Sequence, residues 1–303
     1  MRIAVLADIH GNLPALEAVL ADVKRENVDG IIVAGDSTGG PDPVETFHQV
    51  RALNGWTIRG NSEDYFLTYD RGDAPEAWRV SDQWATMRWL YQRLDRETLD
   101  YMAALPHQRV VTLDGTAPIR IVHGSPHSPT QHLVPDGDAR TVRAFRQARL
   151  PLSGRNAVSA AQALAHTEET VLVCGHSHIH WLWVKEGRLV LNPGSVGAPI
   201  NGDPRAQYAL LTWQGGRWHA THRALEYDAG RVRAAYQDSG LLAAGGAFTR
   251  AYLRGIETGR NFPGHFLHHV YRLAAEEGVA GAPVVPDDVW ERAVTSFDWQ
   301  DGA

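Results

Sequence analysis

The sequence predicts an α/β fold, and three observations predict it. Short runs of apolar, mostly β-branched residues alternate with amphipathic helical stretches over the first sixty residues, the pattern of parallel strands buried on both faces. Several such runs stop at a glycine followed by an acid, an amide or an imidazole, as in Gly35-Asp36, Gly60-Asn61 and Gly175-His176-Ser177-His178. Beyond residue 227 the strand signal vanishes and only helical patterns remain.

Residues 2–7 read as a buried strand. Leu13, Leu16, Val19, Leu20 and Val23 then recur at helical spacing over 13–25, with Pro14 in a first turn, where it is tolerated. Asp8 and His10 stand in the loop between, at the carboxyl end of the strand, where open α/β sheets carry their ligands. By themselves the two also fit a helix cap beside a surface histidine. The next strand, 30–34, ends at Asp36 in a glycine-rich turn that permits close backbone approach. No Gly-Lys-Ser/Thr follows, which excludes a Walker phosphate loop. A helix over 43–53 and a strand over 56–59 lead to Gly60-Asn61-Ser62-Glu63, where Asn61 alone fits a turn residue in left-handed geometry.

Residues 64–107 carry two helical stretches and no strand signal. Trp84, Met87, Tyr91 and Leu94 share one face of the first, an arrangement typical of core packing, while Trp78 and Trp89 fall off it. Because this insert starts beside Asn61, it is also placed to form a lid. Strands over 108–113 and 118–122 end at His123, and Pro126 and Pro129 constrain the loop that holds His127. Helices follow over 138–148 and 156–166. Arg140, Arg143, Arg146 and Arg149 rotate by about −60° at each step of three residues, so they spread around the helix as solvated charge.

The strand over 171–174 delivers His176 and His178 on a tight turn, and neutral imidazole is the commonest metal ligand. Hairpins over 179–191 and 206–225 turn at Glu186-Gly187 and Gln214-Gly215-Gly216, and read as antiparallel additions to a second sheet. Between them, Asn192-Pro193-Gly194-Ser195 is too rich in turn formers to be a strand. Helices are predicted over 231–238, 247–257, 265–277 and 287–297. A boundary near 227 therefore divides a domain of residues 1–226, with its insert at about 64–107, from a helical extension over 227–303. The extension is expected to pack on the core through Tyr252, Phe262, Phe266, Tyr271 and Trp290, a cap over the site and a homodimer contact being the alternatives.

A net charge of −6 argues against sequence-independent binding to nucleic-acid backbones. The first apolar run, 3–7, is too short for a signal peptide or a membrane span and is followed at once by Asp8, so the expected location is the cytoplasm. The single cysteine, Cys174, rules out an intramolecular disulfide and reads as a packed thiol.

Taken together, Asp8-x-His10, Gly35-Asp36, Gly60-Asn61, the lone His123 and Gly175-His176-x-His178, in that order, resemble the calcineurin-like metallophosphoesterase superfamily over roughly residues 1–225. Asn192-Pro193-Gly194-Ser195 resembles its small bacterial and archaeal phosphodiesterase branch, whose minimal members have no counterpart of the C-terminal helices. The resemblance implies two mixed β-sheets packed as a sandwich flanked by helices. It also implies a first metal ion on Asp8, His10 and His178 and a second on Asn61, His123 and His176, with Asp36 bridging both. A shared carboxylate, an amide oxygen and imidazoles suit divalent transition metals, manganese foremost, with iron, zinc and nickel as alternatives. Two such ions about 3.5–4 Å apart lower the pKa of a shared water and polarise the phosphoryl group for in-line attack.

One position departs from the pattern. Phosphatases of the superfamily carry a His after the Asn to protonate the leaving group, and here that residue is Ser62, too weak an acid at neutral pH. The resemblance therefore implies a phosphodiesterase acting on a small nucleotide-like or other phosphodiester, with His127 as the nearest replacement acid. The alternatives are a phosphomonoesterase or protein phosphatase, and a non-catalytic scaffold such as the superfamily's retromer subunit.

Overall fold

The structure, a computed structural model, describes residues 1–279 and 284–302. Strand and helix alternate at the start: β1 (Arg2–Leu6), α1 (Leu13–Arg25), β2 (Gly30–Ala34), α2 (Pro43–Ala52) and β3 (Trp56–Ile58). The insert follows as α3 (Asn61–Asp70), α4 (Glu76–Val80), α5 (Ala85–Tyr91) and α6 (Arg96–Ala104). Next come β4 (Gln108–Val111), β5 (Ile119–Val122), β6 (His132–Val134), α7 (Ala139–Gln147), β7 (Ala157–Ser159), α8 (Ala160–Ala165) and β8 (Val171–Val173). Two hairpins, β9 (Trp181–Lys185) with β10 (Arg188–Asn192) and β11 (Ala206–Gln214) with β12 (Arg217–Leu225), complete the strands. The tail contributes α9 (Ala229–Asp238), α10 (Leu241–Ala244), α11 (Gly246–Thr258), α12 (Phe262–Glu276) and α13 (Asp287–Ser296). Of the extension predicted over 227–303, residues 280–283 and 303 lie outside the described residues.

Two five-stranded mixed sheets are formed, ordered β12-β11-β1-β2-β3 and β4-β5-β8-β10-β9. Strand alternation explains why they stack, because successive side chains point to opposite faces. Ile3, Val5, Ala7, Ile32 and Ala34 of the first sheet meet Ile119, Ile121, Val171, Val173 and Leu191 of the second in one buried cluster. The intervening Ala4, Leu6 and Val33 face Leu16, Val19 and Val23 of α1. On the outer face of the second sheet, Val122, Leu172 and Val190 pack with Phe145 of α7 and Leu164 of α8. The result is a sandwich with helices on both outer faces.

Each sheet has a core of three parallel strands, β1-β2-β3 and β5-β8-β10. Strands β1, β2, β3, β5 and β8 therefore deliver their C-terminal loops to one end of the sandwich. Long-range pairing corrects the predicted sheet assignment. The β9–β10 hairpin does join the second sheet, but through a parallel pairing of β10 with β8. The β11–β12 hairpin belongs to the first sheet, with Ile3 opposite Leu211 and Val5 opposite Ala209 on antiparallel β1.

The insert and tail pack on each other. Phe66, Leu67, Met87 and Leu90 of the insert share a buried cluster with Val232, Tyr236, Leu241, Leu253 and Ile256 of the tail, and Phe47 of α2 and Ala198 join it from the sandwich. Trp89, predicted to lie off the apolar face, is buried, and Trp78 stacks on Trp84 at 4.0 Å. The insert is broken into short helices with Trp84 in a 3-10 turn, so a single helical period does not run through it. Phe262, Phe266 and Trp290 fill a second cluster within the tail, whereas Tyr271 is exposed. Among the described residues no helix is long and apolar enough to cross a membrane.

Candidate metal centre

The loops after β1, β2, β5 and β8 and the start of α3 bring six of the seven predicted ligands into direct contact. His10 Nε2 lies 3.0 Å from His178 Nε2 and 3.5 Å from Asp36 Oδ2. His123 Nε2 lies 3.1 Å from Asn61 Oδ1, 3.4 Å from Asp36 Oδ1 and 3.9 Å from Asp8 Oδ1. Asp8 Oδ1 is also 3.4 Å from His178 Nε2. Two tight donor groups emerge, Asp8-His10-His178 and Asp8-Asp36-His123, with both carboxylates almost wholly buried. Asp8 belongs to both groups, and Asp36, a member of the second, also spans them by turning Oδ2 to His10 and Oδ1 to His123. His176, the seventh residue, is adjacent, its ring 5.3 Å from that of His123.

Backbone carbonyls orient the rings. Nδ1–H of His123 donates to Ala34 O at 2.7 Å, Nδ1–H of His178 to Ala198 O at 2.6 Å, and Nε2–H of His176 to Thr130 O at 3.1 Å. A carbonyl only accepts, so each bond holds the proton on that nitrogen and leaves the other lone pair free, the arrangement typical of metal-ligating histidines. The backbone is strained to achieve this. Asp8, His10, Asp36, His176 and His178 all have φ between 49° and 64°, a region that non-glycine residues seldom adopt and that clusters at functional sites.

Electrostatics favour a positive charge at the same point. Burial alone would lower the His123 imidazole, yet Asp36 and Asp8 push it up to about 10. Burial raises the Asp8 carboxyl to about 6 against the pull of His178 and His123. The Asp36 carboxyl is held well below its ordinary range, because the attraction of His123 and His10 and the Ser62 N–H outweigh its burial. Buried carboxylates, an amide oxygen and imidazole nitrogens facing one centre form a set whose negative charge calls for a positive partner, which fits a divalent cation.

Residues 1–216 match the family description "Calcineurin-like phosphoesterase superfamily domain". The chain belongs to the calcineurin-like phosphoesterase superfamily. The family is one of metal-dependent phosphoester hydrolases that generally use divalent ions. Among solved structures, it is similar to a metallophosphoesterase from Sphaerobacter thermophilus, 28% identical, covering 81% of this chain and 100% of that one at a TM-score of 0.59. The hypothetical protein PH1004 from Pyrococcus horikoshii is 21% identical, covers 85% of this chain and 98% of that one at a TM-score of 0.65, and shares the fold. The uncharacterized protein MJ0912 of Methanocaldococcus jannaschii is 28% identical over 236 residues, 69% of this chain and 82% of that protein.

Further residues hold this superfamily site together, among them Glu63, to which sequence reasoning gave no role. Glu63, 1% exposed, accepts four backbone N–H groups: those of Ser37 and Thr38 on Oε1, and those of Asp36 and Gly60 on Oε2. It clamps the Asp36 loop to the start of α3. Burial and then Asp36 push its carboxyl upward, while the Gly60 and Thr38 N–H groups pull it back. Gly60 has to lack a side chain, since a Cβ there would collide with Asp36 Oδ1. Asn61 has ordinary negative φ at the first position of α3, not the left-handed turn it suggested alone. The Asn192-Pro193-Gly194-Ser195 loop ties two strand exits: Asn192 Nδ2 donates to Gly175 O at 2.7 Å, and Ser195 Oγ to Asp8 O at 2.7 Å.

His132 begins β6, a three-residue strand too short to read from sequence, and its ring stacks on His176 at 4.3 Å. Burial, with His178 and His123 nearby, pushes it down to about 4. His127 is not brought to the cluster. It is exposed, stands edge-on to His166 at 5.2 Å, and is absent from the cavity lining described next. Cys174 is buried, and burial pushes its thiol up.

The tail reaches the site directly. A cavity of about 310 Å³ opens from His10, Asp36, Asn61 and His178 and runs between the insert and the tail. Tyr252 of α11 stands edge-on to His10, ring centres 5.7 Å apart.

Proposed function

We propose that this protein is a phosphodiesterase that works with two divalent ions, manganese foremost, held by Asp8, His10, Asp36, Asn61, His123, His176 and His178. The observation that carries the reading is the pair of buried donor groups with Asp36 spanning them. Bound there, a pair of ions supplies an ionised water at neutral pH and polarises the phosphoryl oxygens. The protein's own part is orientation. The carbonyls of Ala34, Ala198 and Thr130 fix the imidazole lone pairs, and the Ser62 N–H, 2.8 Å from Asp36 Oδ1, holds that carboxylate between the two groups.

In the reaction the oxygen of water bonds to phosphorus, one ester P–O bond breaks, and the departing oxygen leaves with a proton, giving a monoester and an alcohol. Ser62 lines the cavity where phosphatases of the superfamily place their acid, and a serine hydroxyl is a poor proton donor near neutral pH. Activated diesters, whose leaving groups are stable as anions, suffer least from that loss. The test is turnover by manganese-loaded protein of bis(p-nitrophenyl) phosphate against p-nitrophenyl phosphate. The diester should be cleaved faster. Faster monoester cleavage, or no turnover of either, overturns the reading.

A further inference from the structure

We propose that the cavity between insert and tail binds one ester arm of the substrate, and that this arm is apolar and of the size of an aromatic ring. The inference rests on the phosphoesterase reading and narrows it to a substrate class. Continuity with the site is the first reason, because His10, Asp36 and His178 form one end of the cavity. A phosphoryl group against those residues must therefore send a substituent into it or past it.

The chemistry of the walls is the second reason. Phe66, Met87 and Leu90 come from the insert and Leu241, Phe248 and Tyr252 from the tail. Gln83, Thr86 and Thr249, three of the polar side chains in the lining, are spent on protein contacts that join the two walls. Gln83 Nε2 donates to Val285 O at 2.8 Å while its Oε1 accepts from Val285 N. Thr86 Oγ1 lies 2.7 Å from Thr249 Oγ1 and donates to Gly245 O. Because most of the wall is hydrocarbon, a sugar or nucleobase placed there would leave most of its donors and acceptors unpaired, whereas a hydrocarbon ring loses little.

Charge is the third reason. Among the described residues the lining includes no Lys or Arg, so extra phosphates of a nucleoside polyphosphate would enter without a side-chain counter-charge. The walls select a compact, singly charged phosphoester with a hydrophobic arm.

The test is isothermal titration of the manganese-loaded protein with phenylphosphonate and with methylphosphonate, which share a head group and differ in the arm. Burial of the ring should make phenylphosphonate bind at least about tenfold more tightly. Met87→Ala from the insert wall and Phe248→Ala from the tail wall should each reduce that ratio, and either variant alone suffices if the other fails to fold. Equal affinities in the unmodified protein, binding of neither compound, or a ratio unchanged in the folded variants overturns the proposal. Because the readout is binding, a tenfold preference with no phosphoester turnover would sink the phosphodiesterase reading and leave the cavity assignment standing. Turnover with equal affinities would do the reverse.

Discussion

Replacing Glu63 by Gln isolates the clamp behind the metal centre. The side chain keeps its size and loses one of two acceptor oxygens. Each oxygen of Glu63 accepts two backbone N–H groups, so the amide NH₂ of the variant must face either the N–H groups of Ser37 and Thr38 or those of Asp36 and Gly60. Leaving two buried donors unsatisfied costs about 1–3 kcal/mol each, or about 2–6 kcal/mol together. At about 2–4 °C per kcal/mol, Tm should fall by at least about 4 °C. Because Asp36 and the start of α3 are both held by this residue, metal content should fall with stability. Calorimetry and metal analysis on the purified variant provide the assay. A variant that melts with the unmodified protein and retains its metal refutes the clamp.

Other regions respond separately. Burial would raise the Asp22 carboxyl, but hydrogen bonds from Arg223, Tyr208 and Arg25 hold it at about 2. Against an unfolded value near 3.9, that shift corresponds to about 2–3 kcal/mol of stability, present above about pH 4 and lost as pH falls through about 2. Asp22→Asn should therefore cost about 2–3 kcal/mol in denaturant unfolding at pH 7, with the gap closing toward pH 2; a pH-independent gap contradicts the assignment. Ending the chain at Leu225 should expose Phe66, Met87 and Leu90 and remove Tyr252 from the site, so loss of solubility or activity is expected, and a monodisperse, fully active product counts against a covering role for the tail. Ser62→His should raise monoester turnover relative to diester turnover, and an unchanged ratio undermines the account of the missing acid.

What was legible in the sequence follows the range of the interactions concerned. β1, α1 and β2 are local patterns of period two and 3.6, and their residues lie where those periods put them. Strand ends carrying Asp8, Asp36, His123 and His178 were visible for the same reason. The clamp at Glu63 was not, because it depends on backbone N–H groups 25 to 27 residues earlier in the chain. Nor was the attachment of β11 to β1, which joins residues about two hundred positions apart. The six-residue pairing of β6 with β7 is too brief for any period to register, so the place of His132 beside His176 was not legible. Four of the tail's five helices could be read from sequence, the four-residue α10 being too short to show a period, but their place over the candidate site depends on complementary surfaces that no local pattern encodes.

The measurement that tests the central claim most directly is the metal-to-protein ratio of the unmodified chain and of Asp36→Asn. Because Asp36 turns one oxygen to each donor group, two ions per chain are predicted in the unmodified protein, with a loss at both positions in the variant. A chain that binds one ion or none, or a variant that loses only one of two, contradicts the account.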